Sequence, residues 1–509
     1  MSIDQILRSK FALNAVRSWW GRKPKEVVAS SNDPLLNMSA VQLSNKIKEG
    51  TLTSKELVVK MIARCNEVNP KTNAIVELYE EDAVRRAEEI DQYIARFDKS
   101  SSAFAELKAK KPFLGVPFTI KNSYAVKGKK LYCGLHYRLD ESPCDKDAVI
   151  VERLRKAGSF PLASTNVPPA VIAWESDNCI TGRTSSPYDL RCTSGGSSGG
   201  EGSLIASQGS VMGIGSDIAG SIRMPSLLSG IFGIKPFIDT IDPEGHWPGG
   251  PKGSEVMELP GYGPMCRYAE DLPVIFDAIA DVPAPSDFEK RAPKNLIVCP
   301  GLDTDYCLPL SEPQRDAWST AVKFLSKEYG LEPSKYTMPP TKDMMKMYQN
   351  TVMPHMFRDS LLGYENGSLE REMVKALFGL SKSRMSALML AHQLGVLVPE
   401  NEKSKWSDAK KKFIESFFRL VDNGTVFVFP AFPKTHYFHN EPIPAVWDTF
   451  YTAVFNLLGA PAMVVPMGLD KDGYPRSVQL VTARNNDYLL CKVALDLSKK
   501  FGGWTPPRV

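Results

Sequence analysis

Two serine-bearing stretches and one lysine carry the chemistry in this 509-residue chain. Lys121 ends Gly115-Val116-Pro117-Phe118-Thr119-Ile120-Lys121; Ser197 and Ser198 lie in Gly195-Gly196-Ser197-Ser198-Gly199-Gly200-Glu201-Gly202; Ser221 lies in Ser216-Asp217-Ile218-Ala219-Gly220-Ser221-Ile222-Arg223. A serine hydroxyl attacks a carbonyl carbon only when a neighbouring base takes its proton, so serines beside a basic side chain point to acyl transfer. Gly195 to Gly199 also satisfies G-x-S-x-G, the nucleophile-elbow pattern of α/β-hydrolase-like esterases, which would make Ser197 the nucleophile and require a downstream acid and histidine. Five of the six histidines lie downstream, and their surroundings single none out. Other chemistries are poorly served. The run from Gly213 to Gly220 lacks both G-x-G-x-x-G and the Gly-Lys-Ser/Thr of a phosphate loop. His436 and His439 stand three apart without a third ligand in view, so neither a metal site nor a cofactor is expected.

Taken together, the lysine, the Gly/Ser run and the Ser-Asp-Ile-Ala-Gly-Ser-Ile-Arg segment resemble the amidase signature family. Lys121 stands 76 residues before Ser197, and Ser221 stands 24 after it, as in the family's pattern. The likeness runs from about Leu35 to Trp504, and segments 263–272, 455–461 and 501–504 are most similar to the fatty-acid amide hydrolases, nearest their type 2 branch. The resemblance implies a Ser-Ser-Lys triad, with Ser221 as nucleophile, Ser197 as the bridging hydroxyl and Lys121 as general base. It implies an oxyanion hole from the backbone N–H groups of Ile218, Ala219, Gly220 and Ser221. Ser198, Asp217 and Arg223 would support the network, and Val171, with Ser197, would contact substrate. Such an enzyme would cleave fatty-acid amides, primary amides and N-acylethanolamines alike, through an acyl-enzyme. Buried lysine suits the base role, because desolvation can lower its pKa by about 3–5 units. Two positions depart from the family pattern: Ala219 stands where glycine is usual, and Asn122 where an acidic residue is common. Within the same family, an amidotransferase-type subunit acting with glutamine and tRNA partners is the alternative; an inactive scaffold that binds membranes is another.

The elements around these residues alternate between two periods. Thr53 and Glu56 form a capping box before Leu57, Val58, Met61 and Ile62, whose spacing makes one apolar helical face. The helical pattern covers about 39–92, repeating over 82–94. Residues 115–121 switch to strand alternation, 147–157 to a helix closed by Gly158, and 160–163 to another strand. Helix and strand patterns in alternation predict an α/β protein, which the resemblance specifies as an α/β/α fold around a large mixed twisted sheet. Residues 194–235 are Gly-rich yet carry Leu204, Ile205, Val211, Ile214 and Ile222, so they fold rather than link. Residues 286–422 read as mostly helical and Met-rich, and such side chains suit either an irregular apolar pocket or a plain core. Strands at 426–429 and 462–466 and a helix at 488–501 complete the pattern.

Charge is nearly balanced, with 62 basic and 58 acidic residues, which excludes a general nucleic-acid footprint. The basic excess is local: Arg8, Lys10, Arg17, Arg22, Lys23 and Lys25 lie against Asp4 in the first 25 residues. There, Ile3, Ile6, Leu7, Leu13, Val16 and Trp20 recur at helical spacing. Residues 1–34 are therefore expected to be a basic amphipathic segment plus linker, and 35–509 the amidase signature domain. The segment suits either a membrane interface or the protein's own surface. Nine scattered cysteines without a C-x-x-C pair suit reduced thiols in an intracellular, cytoplasmic setting, with peripheral membrane contact as an option. The partners expected are a lipid amide and, by resemblance, a second copy in a homodimer.

Overall fold

The computed structural model describes residues 10–249, 258–352, 354–363, 367–394 and 398–508. Its organising element is an 11-stranded mixed sheet. In chain order the strands are β1 (Ile75–Leu78), β2 (Pro117–Lys121), β3 (Phe160–Thr165), β4 (Met212–Asp217), β5 (Phe232–Lys235) and β6 (Gly261–Cys266). β7 (Asn295–Val298), β8 (Ser334–Lys335), β9 (Thr425–Pro430), β10 (Ala462–Leu469) and β11 (Pro475–Thr482) follow. Across the sheet the order is β1-β3-β2-β4-β6-β5-β10-β11-β9-β7-β8. The β3-β2-β4 trio is parallel, as is β9-β7-β8, and the remaining pairs are antiparallel. Seventeen α-helices surround the sheet among the described residues. Helices on the faces are what the two parallel trios require, since crossovers between parallel strands must pass over one face or the other.

Local sequence explains the elements that flank the site. The helix Ser54–Thr72 starts where the Thr53 side chain accepts the Glu56 N–H at 3.1 Å. Its Leu57, Val58, Met61 and Ile62 are buried. The helix Val149–Lys156 ends before Gly158, whose φ of +93° is favourable only for glycine. β2 carries the expected alternation, and all five of its residues are buried. Its alternation separates two interiors: Phe118 and Ile120 join the apolar core, whereas Thr119 and Lys121 point among polar groups.

Three short strands lie within stretches read as helical. β1 interrupts the 39–92 region and pairs antiparallel with β3, and β7 and β8 open the 286–422 region beside β9. Strands of two to four residues are held by partners far away in sequence, so no local period announces them. Of the methionines of the helical region, Met338, Met344, Met345 and Met347 are core, buried with Tyr348, Phe429 and Phe455. Ile218 and Ala219 pack against that same cluster.

At the N-terminus, Ile3, Ile6, Leu7 and Arg8 lie outside the described residues. The helix Lys10–Gly21 lies on the protein's own surface. Leu13 is buried, Arg17 pairs with the Glu441 carboxylate at 2.8 Å, and the Trp20 ring meets His439 edge-on at 5.2 Å. Trp19 faces outward and is 65% exposed. Val28 N–H donates to the Pro187 carbonyl, and Arg191 to that of Lys23, tying the linker down. No described helix is long and apolar enough to cross a membrane. All nine cysteines are free thiols.

Candidate active site

Parallel pairing of β2 with β4 sets Ile120 opposite Ile214, so the carboxyl ends of both strands open on one edge of the sheet. Lys121 ends one strand, and Ser216 and Asp217 end the other. That edge is where open α/β sheets bind ligands. The Lys121 side chain is fully buried. Its Nζ lies 2.7 Å from Ser197 Oγ, 3.0 Å from Ser216 Oγ and 3.2 Å from the Ser216 carbonyl. Burial disfavours the ammonium form, and electrostatic attraction toward Cys133, Asp217 and Glu201 offsets only part of that, so the amine drops from an ordinary 10.5 to about 7. Asn122, the departure from the family pattern, accepts the N–H groups of Tyr132 and Cys133 at 3.1 and 3.0 Å. An amide oxygen suffices for that duty.

Ser197 is held by a loop whose glycines allow close packing. A Cβ on Gly196 would lie 2.8 Å from the Ala173 carbonyl oxygen, so backbone meets backbone there. Ser176 Oγ accepts the Gly199 N–H, and Ser194 Oγ donates to the Gly199 carbonyl, both at 3.0 Å. Ser198 N–H donates to the Ser221 carbonyl at 3.2 Å, which brings the two serine segments together. In the helix that follows, Gly199–Ala206, Glu201 accepts from Thr119 and Thr165 at 2.7 Å each. Burial pushes its carboxyl up to about 8, against the lowering influence of those hydroxyls and Lys121.

The Ser221 segment is anchored by an ion pair. Arg223 donates to both Asp217 carboxylate oxygens at 3.0 Å, and also to Asn456 Oδ1, Gln479 Oε1 and the Thr452 carbonyl. Burial alone would raise the Asp217 pKa, yet Arg223 and Asn456 hold it at about 2. Between these anchors, Tyr348 donates to the Ile218 carbonyl at 3.0 Å and Thr452 to that of Ala219 at 2.7 Å. Gly220 adopts φ +124°, while Ala219 is not among the residues of positive φ, so alanine at 219 meets no backbone strain. The Gly220 N–H is already bonded to Asp217 Oδ1 at 2.6 Å. Of the four expected oxyanion donors, this leaves Ile218, Ala219 and Ser221 as those not turned to the carboxylate.

Val171 lies on the 3-10 turn Pro169–Val171, next to Ala170, whose N–H donates to the Cys133 carbonyl. That turn therefore abuts the loop tied to Asn122. The following residues Ala173 and Trp174 line an apolar crevice with Met389, Leu390, Ile443 and Val446.

Three residues close to the lysine are singled out by no sequence pattern: Ser216, Glu201 and His246. Ser216 directly precedes Asp217 on β4, and its place opposite the lysine follows once the parallel pairing is known. His246 lies 125 residues beyond Lys121, and its Nε2 sits 2.9 Å from Ser216 Oγ. No spacing announces it. His436 stacks on Tyr474 with ring centroids 3.8 Å apart, and His439 bonds Glu175 at 2.7 Å. Among the described residues no group of three or more His, Cys, Asp or Glu side chains is gathered as a metal site requires. Among the described residues, the side chain that hydrogen-bonds Ser197 Oγ is the lysine Lys121.

A model of the Amidase family matches residues 56–491. Fatty-acid amide hydrolase 2-A of Danio rerio is 34% identical over 491 residues, covering 93% of this chain and 91% of the relative. Fatty-acid amide hydrolase 2 of Homo sapiens is 33% identical over 492 residues, again covering 93% and 91%. A solved structure of a fatty acid amide hydrolase superposes with a TM-score of 0.73 at 22% identity, covering 99% of this chain and 91% of that one. The last likeness concerns the fold.

Proposed function

The chain belongs to the Amidase family, an amide-hydrolysing enzyme, and we propose that its substrates are fatty-acid amides cleaved through Ser221, Ser197 and Lys121. Ser221 Oγ attacks the amide carbonyl carbon while its proton passes to Ser197 and the Ser197 proton to the neutral amine of Lys121. The carbonyl oxygen gathers negative charge opposite the N–H groups of Ile218, Ala219 and Ser221, where each well-placed donor is worth about 10²–10³ in rate. As the carbon–nitrogen bond breaks, Lys121 returns the proton through Ser197 to the departing nitrogen, so that amine or ammonia leaves and an ester to Ser221 remains. Water then attacks that ester with the same base, releasing fatty acid and regenerating the serine.

The observation that carries this reading is the 2.7 Å approach of Lys121 to Ser197 with both side chains buried at the carboxyl edge of the sheet. A solvated lysine is protonated at neutral pH; burial lowers this one to about 7, which favours the neutral amine that a base requires. Support for an acyl chain as substrate comes from the apolar cluster against Ile218 and Ala219 and the names of the relatives. Exposed Trp19, Val374, Leu377, Phe378 and Leu380 are apolar surface suited to a lipid layer. The test is hydrolysis of fatty-acid primary amides, N-acylethanolamines and short aryl amides side by side, with Lys121→Ala as control. Preference for the acyl amides, with a loss of about 10² or more in the variant, is expected. Full activity of Lys121→Ala overturns the mechanism, and preference for short aryl amides overturns the substrate class.

A further inference from the structure

His246 is tethered to the residues that follow the lysine. Ala125 N–H donates to the Gly245 carbonyl at 2.8 Å and Trp247 N–H to the Ser123 carbonyl at 2.7 Å, so backbone bonds straddle the histidine. Its ring lies between Tyr124 and Tyr262, edge to face with each, at centroid distances of 4.8 and 4.9 Å. Nδ1 is 3.0 Å from the Pro248 carbonyl, which can only accept, so Nδ1 carries the proton. Partly buried, and near Lys121, the ring is held neutral: desolvation and then the lysine's charge lower its pKa to about 3. Nε2 is then an acceptor, and the partner at 2.9 Å, Ser216 Oγ, must donate to it.

The hydrogens around the amine follow by count. A neutral lysine amine has two N–H bonds and one lone pair. The Ser216 carbonyl accepts one hydrogen at 3.2 Å. Ser216 Oγ, whose own proton goes to His246, accepts the other at 3.0 Å. The lone pair is left toward Ser197 Oγ, the nearest of the three at 2.7 Å. Without an acceptor at Nε2, the Ser216 hydroxyl would turn and donate to that lone pair itself, in competition with Ser197.

We propose that His246 is a positioning residue that, by taking the Ser216 hydroxyl hydrogen, aims the Lys121 lone pair at Ser197. The inference rests on Lys121 being the base. Groups that also act on this pair are Cys133, Asp217 and Glu201 around Lys121 and Tyr124 and Tyr262 around the histidine.

The test is a double-mutant cycle read by steady-state kinetics on one fatty-acid amide from pH 5 to 9. His246→Phe keeps a ring between the tyrosines and deletes both nitrogens. It is expected to lower kcat roughly 10- to 100-fold, less than complete loss of a general base, with KM nearly unchanged. It also moves the acid limb of kcat/KM to lower pH, because the rotated Ser216 hydroxyl favours the neutral amine. His246→Gln, whose amide oxygen can accept from Ser216, restores most of the rate. In a Ser216→Ala background, where no hydroxyl competes, His246→Phe costs nothing further. An equal cost in both backgrounds, or unaltered kinetics of His246→Phe while Lys121→Ala is inactive, overturns the role of His246 and leaves the triad standing. Full activity of Lys121→Ala overturns the triad instead. Should Phe crowd the site and unfold the protein, His246→Ala completes the same cycle.

Discussion

Replacing Lys121 by methionine should abolish turnover and, at low pH, relieve the fold of a buried amine. The amine is charged in the unfolded chain below about 10.5 and neutral in the folded protein above about 7, so the unfolded state binds the extra proton between those values. The sign follows: stability of the native enzyme rises as pH increases from 7 toward 10.5, and the penalty for burying Lys121 is complete below 7. Each pKa unit corresponds to about 1.4 kcal/mol, which makes the full penalty about 4–5 kcal/mol. At pH 10 less than about 1 kcal/mol of it remains. Methionine also removes hydrogen bonds to Ser197 and Ser216, a loss that does not depend on pH over this range. The informative quantity is therefore the difference between the variant's effect at pH 6 and at pH 10. Urea unfolding followed by near-UV circular dichroism at the two pH values should show Lys121→Met gaining about 4 kcal/mol at pH 6 relative to pH 10. An identical effect at both values would mean that the amine is as easily protonated in the native site as in water, and the proposed base would lose its physical basis.

With chemistry rate-limiting, kcat/KM should fall about tenfold per pH unit below about 7, since only the neutral amine accepts a proton; a flat profile from pH 5 to 9 contradicts this. Arg223→Met should destabilise the protein by about 3–5 kcal/mol at pH 7 by stranding the Asp217 carboxylate. The native Asp217 is held at about 2, so its pairing stabilises the fold above the ordinary carboxylate range and the benefit fades as pH falls through 2; urea midpoints at pH 7 and pH 3 measure this, and no loss at pH 7 refutes it. Gly220→Ala places a Cβ 2.0 Å from Thr452 Oγ1 at a φ of +124°. It should cost about 1–3 kcal/mol and at least tenfold in kcat, read by thermal unfolding and kinetics, and a neutral outcome would show that the loop is not set by this backbone geometry.

Much of the site was legible because its groups sit where local patterns end. Lys121 closes a strand whose alternation was visible, although both of its faces proved buried; the polar face serves Glu201 and Ser197. Asp217 and Arg223 were expected as supports, and they form a buried ion pair that fixes the ends of the Ser221 loop. The Thr53 cap and the helix Val149–Lys156 follow from side chains within a few residues of each other. What escaped depends on distant partners. β1, β7 and β8 are short strands defined by their neighbours, and His246 acquires meaning only because its loop is bonded to Ser123 and Ala125. The N-terminal helix shows the limit of amphipathicity as a guide, since an apolar face with basic flanks fits a bilayer or a protein surface equally well. Arg17 and Trp20 settle on Glu441 and His439.

Acylation at Ser221 Oγ is tested most directly by covalent labelling. A fluorophosphonate serine reagent, applied to the full chain and located by peptide mass spectrometry, should modify Ser221 in the native enzyme and do so far more slowly in Lys121→Ala. Modification of Ser197 in place of Ser221, or equal labelling of Ser221 with and without the lysine, would contradict it.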